Sequence, residues 1–465
     1  MSRVLVAFWF DVEDYITPQS DEALKGIIEI FDKLDQRATF KLVGEKLRAL
    51  ERRGRTDIID MLERHDIGYH TDYHSVHPTP AEYLKGLGWE EGREEFKRRE
   101  CRGYEDIIRV FGRKPSCYGQ PGSSWAPQVY PALRDWGIKL YMDECPQIGL
   151  NEEPFWFCGV LNVLRMGKNL TRCDFRKGEE GLREAVERFD SIADRLKSQG
   201  GGLVSIYYHP CEFSTYQFWD AVNFARGANP SPDKWKTPEV KPPEEMRRGL
   251  DILRGYVEHI CSRPDVKLVT ASEIVELYPD EAAGAKLSIE ELKRACSAIA
   301  EEISYVDLGE IILSPAELFL TVCRALEAYG QLGRLPREVE VGRVDGPESR
   351  SEDDGGGSAP TESIVEGAVE ALEFMEERGK MPDSVKVGNC ELPPAVFLRA
   401  ACRLICADGD LAELPLEKAR LKLEDEVRGE GVWGWIIFPE GFDAPELIEL
   451  ARAQAWTLKP ARLKG

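Results

Sequence analysis

Over residues 1–280, short apolar runs alternate with stretches whose apolar positions recur three and four apart. That alternation is the pattern of strands followed by amphipathic helices. RVLVAFWF (3–10), ATFKLVG (38–44) and HDIGYH (65–70) predict three strands, and DEALKGIIEIFDKL (21–34) the helix between the first two. Further on, YPALRDWGIKLYMDE reads as helix then strand, and EGLREAVERFDSIADRLKSQ as a helix leading to the strand GGLVSIYYHP. EEMRRGLDILRGYVEHICSR predicts another helix, and VKLVTASEIVELY a closing strand and helix. Repeated units of this kind build either a barrel or an open parallel sheet, and in both the chemistry gathers beyond the C-terminal strand ends. Asp11, Glu13, Asp14, His70, His74 and His209 all fall at such ends.

Two stretches break the rhythm. Residues 211–243 are rich in aromatics, Asn, Gly and Pro, and directly follow His209. They predict a lid or substrate-binding insertion, with a packed surface insertion as the alternative. Beyond Pro279 the chain repeats itself: sliding 315–342 by 46 positions onto 361–388 matches 8 of 28 residues. The shared frame is an amphipathic helix, G-[RK]-[LM]-P, then a short V-x-V-G strand. Residues 288–465 therefore form a smaller α+β repeat-containing domain, a module for binding or assembly or a cap on the first domain. GPESRSEDDGGGSAP (346–360) reads as a flexible linker.

Composition narrows the partners. A chain of 465 residues suggests two or three domains, and 61 basic against 83 acidic residues give a net charge of −22. That balance argues against nucleic acid or an anionic membrane as partner. Nothing approaches the ~20 apolar residues that span a bilayer. The N-terminus passes through seven apolar residues straight into acids, a strand rather than an export signal, so a cytoplasmic chain is expected. The 12 cysteines, with no C-x-x-C, are then reduced and mostly buried.

The chemistry starts at HTDYH. His70 and His74 are four apart, the spacing that places two imidazoles on one face of a helical turn to grip one metal. A third ligand must come from elsewhere, and FDVEDY (10–15) supplies acids at the first strand's end. Two imidazoles and a carboxylate leave positions open for water and substrate, as hydrolysis requires.

In this order, FDVED, ATFKLVGE, HDIGYHTDYH and YYHP resemble the NodB-homology polysaccharide deacetylases (carbohydrate esterase family 4), in the branch that opens with D-V-[DE]. The resemblance covers residues 3–278. It implies a distorted (β/α)7 barrel and metal-dependent removal of an N-acyl, usually N-acetyl, group. Asp11 would be the general base, His209 the acid that protonates the leaving amine, and His70 and His74 metal ligands. Glu13, two past the base, is the preferred third ligand and Asp14 its competitor. The implied cofactor is a divalent metal, zinc first, then iron or cobalt. The implied partner is an N-acylated sugar or glycoconjugate, with oligomerisation open. One motif departs: where the family carries R-x-P-[YG], this chain has Gly119-Gln120-Pro121-Gly122. A backbone oxyanion donor near Gly122 survives that change, but the Arg contact does not, and Asp143 is a candidate compensating polar contact. Two rivals remain: a metal-free amide hydrolase like the family's allantoinase-like relatives, and a non-catalytic glycan-binding protein.

Trp219, in the insertion after His209, is the first choice for a sugar-stacking platform. His65 reads as structural, His77 is kept off the metal by Pro78, and His259 lies on a charged helix. The C-terminal repeats faintly resemble pseudomurein-binding repeats of archaeal surface proteins, which would imply glycan binding.

Overall fold

The computed structural model describes residues 4–351 and 355–464. The N-terminal half is a mixed α/β layer structure on a parallel sheet. Its strands are β1 (Val4–Val12), β2 (Thr39–Leu42), β3 (Asp66–Tyr69), β4 (Leu140–Met142), β5 (Phe155–Phe157), β6 (Val160–Val163), β7 (Gly202–Tyr208) and β8 (Val266–Leu268). β1 is buried along all nine residues, as a central parallel strand must be. β7 runs along one flank of it; on the other, β8 pairs with its first half and β2 with its second. β3 adds to β2, and single-residue parallel bridges at Tyr118 connect β3 to β4. β4 pairs with β6, and another single bridge joins Leu170 to Ser205 of β7. The hydrogen bonds thus draw two ladders joined by isolated bridges; continuous pairing around a seven-stranded barrel is not drawn among the described residues.

The C-terminal segment is laced into this layer. Lys459–Pro460 pairs antiparallel with β5. Arg134 makes two 2.6 Å bonds to Asp345, and Lys459 bridges Asp280 and Glu317 at 2.7 and 2.8 Å. The sequence repeat is visible as two helices, Pro315–Leu332 and Thr361–Arg378, each ended by a left-handed glycine (Gly333, Gly379) and followed by a short strand. The predicted linker is no free tether in its described part. Gly346 N–H donates to Gln454, Glu348 and Ser349 donate to Asp383, and Ser358–Pro360 pairs with Glu413–Pro415. Residues 352–354 of that stretch lie outside the described residues.

The insertion at 211–243 also differs from an open lid. It folds into the short helices Pro210–Ser214 and Trp219–Asn223 and packs Trp219, Phe224 and Trp235 against Tyr15 and Val43. Apolar side chains that bury each other hold it against the domain. Among the described residues no helix is long and apolar enough to cross a membrane, and all 12 cysteines are free.

Candidate metal and acid–base site

Three acids of FDVED stand at the end of β1, and two of them meet. Asp11 lies within the strand and Glu13 one residue past its end, and each brings a carboxylate oxygen within 4 Å of a buried imidazole. Asp14 spends Oδ1 on the backbone N–H groups of Ile16 and Thr17, where it caps the turn into the first helix. It is not part of the cluster. Glu13, His70 and His74 do converge, their donor atoms lying within 4.8 Å of one another and all buried.

The two imidazoles do not share a helical turn. Residues 70–75 form a loop with Thr71 and His74 at φ +65° and +56°, a region that costs a β-branched residue strain. Thr71 Oγ1 holds the loop by donating to the His70 carbonyl at 2.5 Å and accepting His74 N–H at 3.1 Å. The far nitrogens are fixed: His70 Nδ1 lies 3.0 Å from the Gly119 carbonyl and His74 Nδ1 2.6 Å from Ser75 Oγ. Each Nε2 is left facing Glu13 Oε2, at 3.6 Å from His70 and 2.9 Å from His74. His74 Nε2 makes no aligned hydrogen bond there. Two imidazoles oriented through their second nitrogens and one carboxylate are a donor set that fits a divalent cation with open positions.

Asp11 stands between two cations. Its Oδ1 is 2.9 Å from Lys41 Nζ and its Oδ2 3.6 Å from His209 Nε2. Burial pushes the carboxyl's pKa up, but Lys41, His70 and His209 outweigh it, and the net direction is down. His209 ends β7 and caps the helix Pro210–Ser214. Glu212 closes that capping box, accepting His209 N–H at 3.1 Å and contacting Nδ1 at 2.5 Å. Arg172 donates to both oxygens of Glu212. Burial opposes the imidazolium, yet Glu13, Glu212 and Asp11 prevail and push His209 up to about 9.

Asp11, Glu13, His70, His74 and His209 line a cavity of about 590 Å³, a size typical of small-molecule sites. Gly122, at φ +50°, lies against its wall; a Cβ there would meet the Trp435 indole at 2.4 Å. Asp143 lines the cavity too, but both its oxygens are engaged within the protein, Oδ2 by Lys41 and Oδ1 by Glu144 N–H. Trp219 does not offer a stacking face. It is fully buried and its indole N–H donates to Glu13 Oε1 at 3.1 Å, so it braces the carboxylate instead. The exposed apolar rim comes from its neighbour Phe218 and from Ile436, 37% and 55% exposed.

Sequence reasoning missed Lys41, Glu212, Asp220 and Trp435. A Lys inside the buried strand TFKL and the capping pattern H-P-C-E were visible signals for the first two. Trp435 carried none: it reaches the cavity only because the segment around it hydrogen-bonds to Gln147 and to Arg226–Gly227. His65 accepts Ala38 N–H, and His77 faces Glu82, both away from the cluster.

No family model matches the sequence, and neither does any curated protein. Among solved structures, the chain is similar to a Mycobacterium smegmatis protein assigned as a polysaccharide deacetylase (16% identity, TM-score 0.40, covering 59% of this chain and 90% of that one). It is similar also to a 4-alpha-glucanotransferase from Thermococcus litoralis (14%, 0.40, 59% and 40%). A third likeness is to the peptidoglycan deacetylase PdaC from Bacillus subtilis (13%, 0.30, 59% and 91%). Likeness this low carries no argument about activity, and the functional reading rests on the geometry of the site.

Proposed function

We propose that the chain is a metal-dependent hydrolase that removes an N-acyl group, chiefly N-acetyl, from a sugar or related small molecule. The observation that carries this reading is the juxtaposition, in one cavity, of the Glu13–His70–His74 donor set with the Asp11 carboxylate and the His209 imidazole, 3.6 Å apart. A divalent cation held by Glu13, His70 and His74 would supply a Lewis acid that polarises the acyl carbonyl and acidifies water. Asp11, kept ionised by its cationic neighbours, accepts the proton of the attacking water. His209, kept protonated by Glu212, gives a proton to the departing amine. The rim of Phe218, Ile436 and Trp435 suits the apolar face of a sugar ring, and Gln120, Glu144 and Asp220 offer acceptors for its hydroxyls.

The acid must be protonated to act, so turnover is lost as pH rises through the His209 pKa, near 9 before any cation binds. A bound dication lowers that limit. Glu212→Gln removes a carboxylate that favours the imidazolium, and the alkaline limb of kcat is expected to move down by about one pH unit. An unmoved limb would show that Glu212 does not set the acid.

The reading is tested by measuring acetate and free amine released from a panel of N-acetylated mono- and disaccharides. Release is expected with added Zn²⁺ or Co²⁺, lost on chelation and restored by the metal. Release that survives chelation would favour metal-free amide hydrolysis. Glycan binding without release would favour a binding protein.

A further inference from the structure

Behind Asp11 and Asp143, which line the cavity, lies an ammonium whose part in the reaction as described is only to help keep Asp11 ionised. Lys41 is fully buried in β2. Its Nζ is ion-paired with Asp11 Oδ1 at 2.9 Å, donates to Asp143 Oδ2 at 2.5 Å and to the Met142 carbonyl at 2.8 Å, and lies 4.3 Å from the Trp9 ring centre. A buried ammonium persists only when it is matched this fully. The space is reserved for it: a Cβ at Gly119 would stand 2.1 Å from Nζ and 2.3 Å from Asp143 Oδ2. Asp11, His70 and Asp143 approach closely enough to hold a cation of their own, and the Lys41 ammonium bonds to two of the three.

We propose that Lys41 is the positioning residue of Asp11 and a built-in substitute for a second cation, with Gly119 leaving the room it needs. Held by Lys41 through Oδ1, Asp11 presents Oδ2 on the His209 side. Without that hold, Oδ1, which is 3.8 Å from His70 Nε2, is free to turn towards the metal site as an added ligand. Base function then falls while metal binding tightens, opposite to what loss of mere packing would do. The effect on turnover rests on the hydrolase reading; the effect on metal binding does not.

The experiment compares the full-length wild type with Lys41→Met and Gly119→Ala, measuring acetate release and calorimetric Co²⁺ titration on each. In both variants kcat is expected to fall by about 100-fold with KM changed less than about threefold. The Kd for Co²⁺ is expected to drop by about tenfold. Gly119→Ala keeps the ammonium but displaces it, and decides the matter should Lys41→Met fail to fold. A natively folded variant turning over within threefold of wild type, or binding Co²⁺ no more tightly, overturns the proposal. If wild type releases no acetate while Co²⁺ binding tightens in the variants, the hydrolase reading fails and the placement of Lys41 stands.

Discussion

Replacing His70 and His74 together with alanine is expected to take the chain from one bound divalent ion per molecule to fewer than about 0.1 after dialysis, and acetate release with it. Only Glu13 of the donor set would remain, and one carboxylate does not retain a dication against water. Elemental analysis of the dialysed protein reads this directly. The imidazoles are 2% and 4% exposed, so an unchanged circular-dichroism spectrum must accompany the loss. Stoichiometric metal persisting in the double variant would place the ion elsewhere and remove the ground for the proposed chemistry. His74 adds a pH signature. Burial disfavours its cation, but Glu13 more than offsets this and raises its pKa. A metal that takes Nε2 displaces that proton, so metal affinity rises with pH through the His74 titration.

Asp11→Asn is the second large effect. The amide keeps the shape of the carboxylate but cannot accept a proton from water, so kcat is expected to fall by between about 10² and 10⁴. Metal content should stay near one per chain, because Asp11 is bound to Lys41 rather than to the donor set. Ligand affinity should change little, since the rim and the hydroxyl-facing acceptors are untouched. A variant keeping more than about a tenth of wild-type turnover would show that another group takes the proton. Asp143 would be the first to test, since it lines the same cavity and shares the Lys41 ammonium with Asp11.

Much of the sheet and part of the cluster were legible in the sequence, for different reasons. β1, β2, β3 and β7 announced themselves because a buried parallel strand is a short run of apolar residues, and the polar residues closing the runs of β1, β3 and β7 mark the functional edge. Asp11, Glu13, His70 and His74 were brought together by that edge, by the spacing of the two histidines and by the resemblance of FDVED to the deacetylase motif. The i, i+4 spacing of the histidines suggested the right partnership through the wrong geometry, because a loop with two left-handed residues achieves the same convergence. Asp14 was a competitor because sequence adjacency cannot tell a carboxylate free to bind from one spent on the backbone N–H groups of Ile16 and Thr17. Trp219 was placed at the right site with the wrong duty, since aromatic content alone does not distinguish a face offered to solvent from an indole N–H spent on a carboxylate. Trp435 and the anchoring of residues 346–349 and 358–360 depend on long-range hydrogen bonds and strand pairing that no local pattern records.

The cavity wall formed by Trp435 has a temporal meaning. That indole is synthesised 226 residues after His209 (435 − 209) and is the surface against which Gly122 and His74 settle. A nascent chain can pair its parallel strands and gather its imidazoles long before that, but the chamber lacks this wall until residue 435 has been made. Fragments released early by the ribosome, or clipped ahead of residue 430, therefore expose the acid–base pair to bulk water instead of enclosing it.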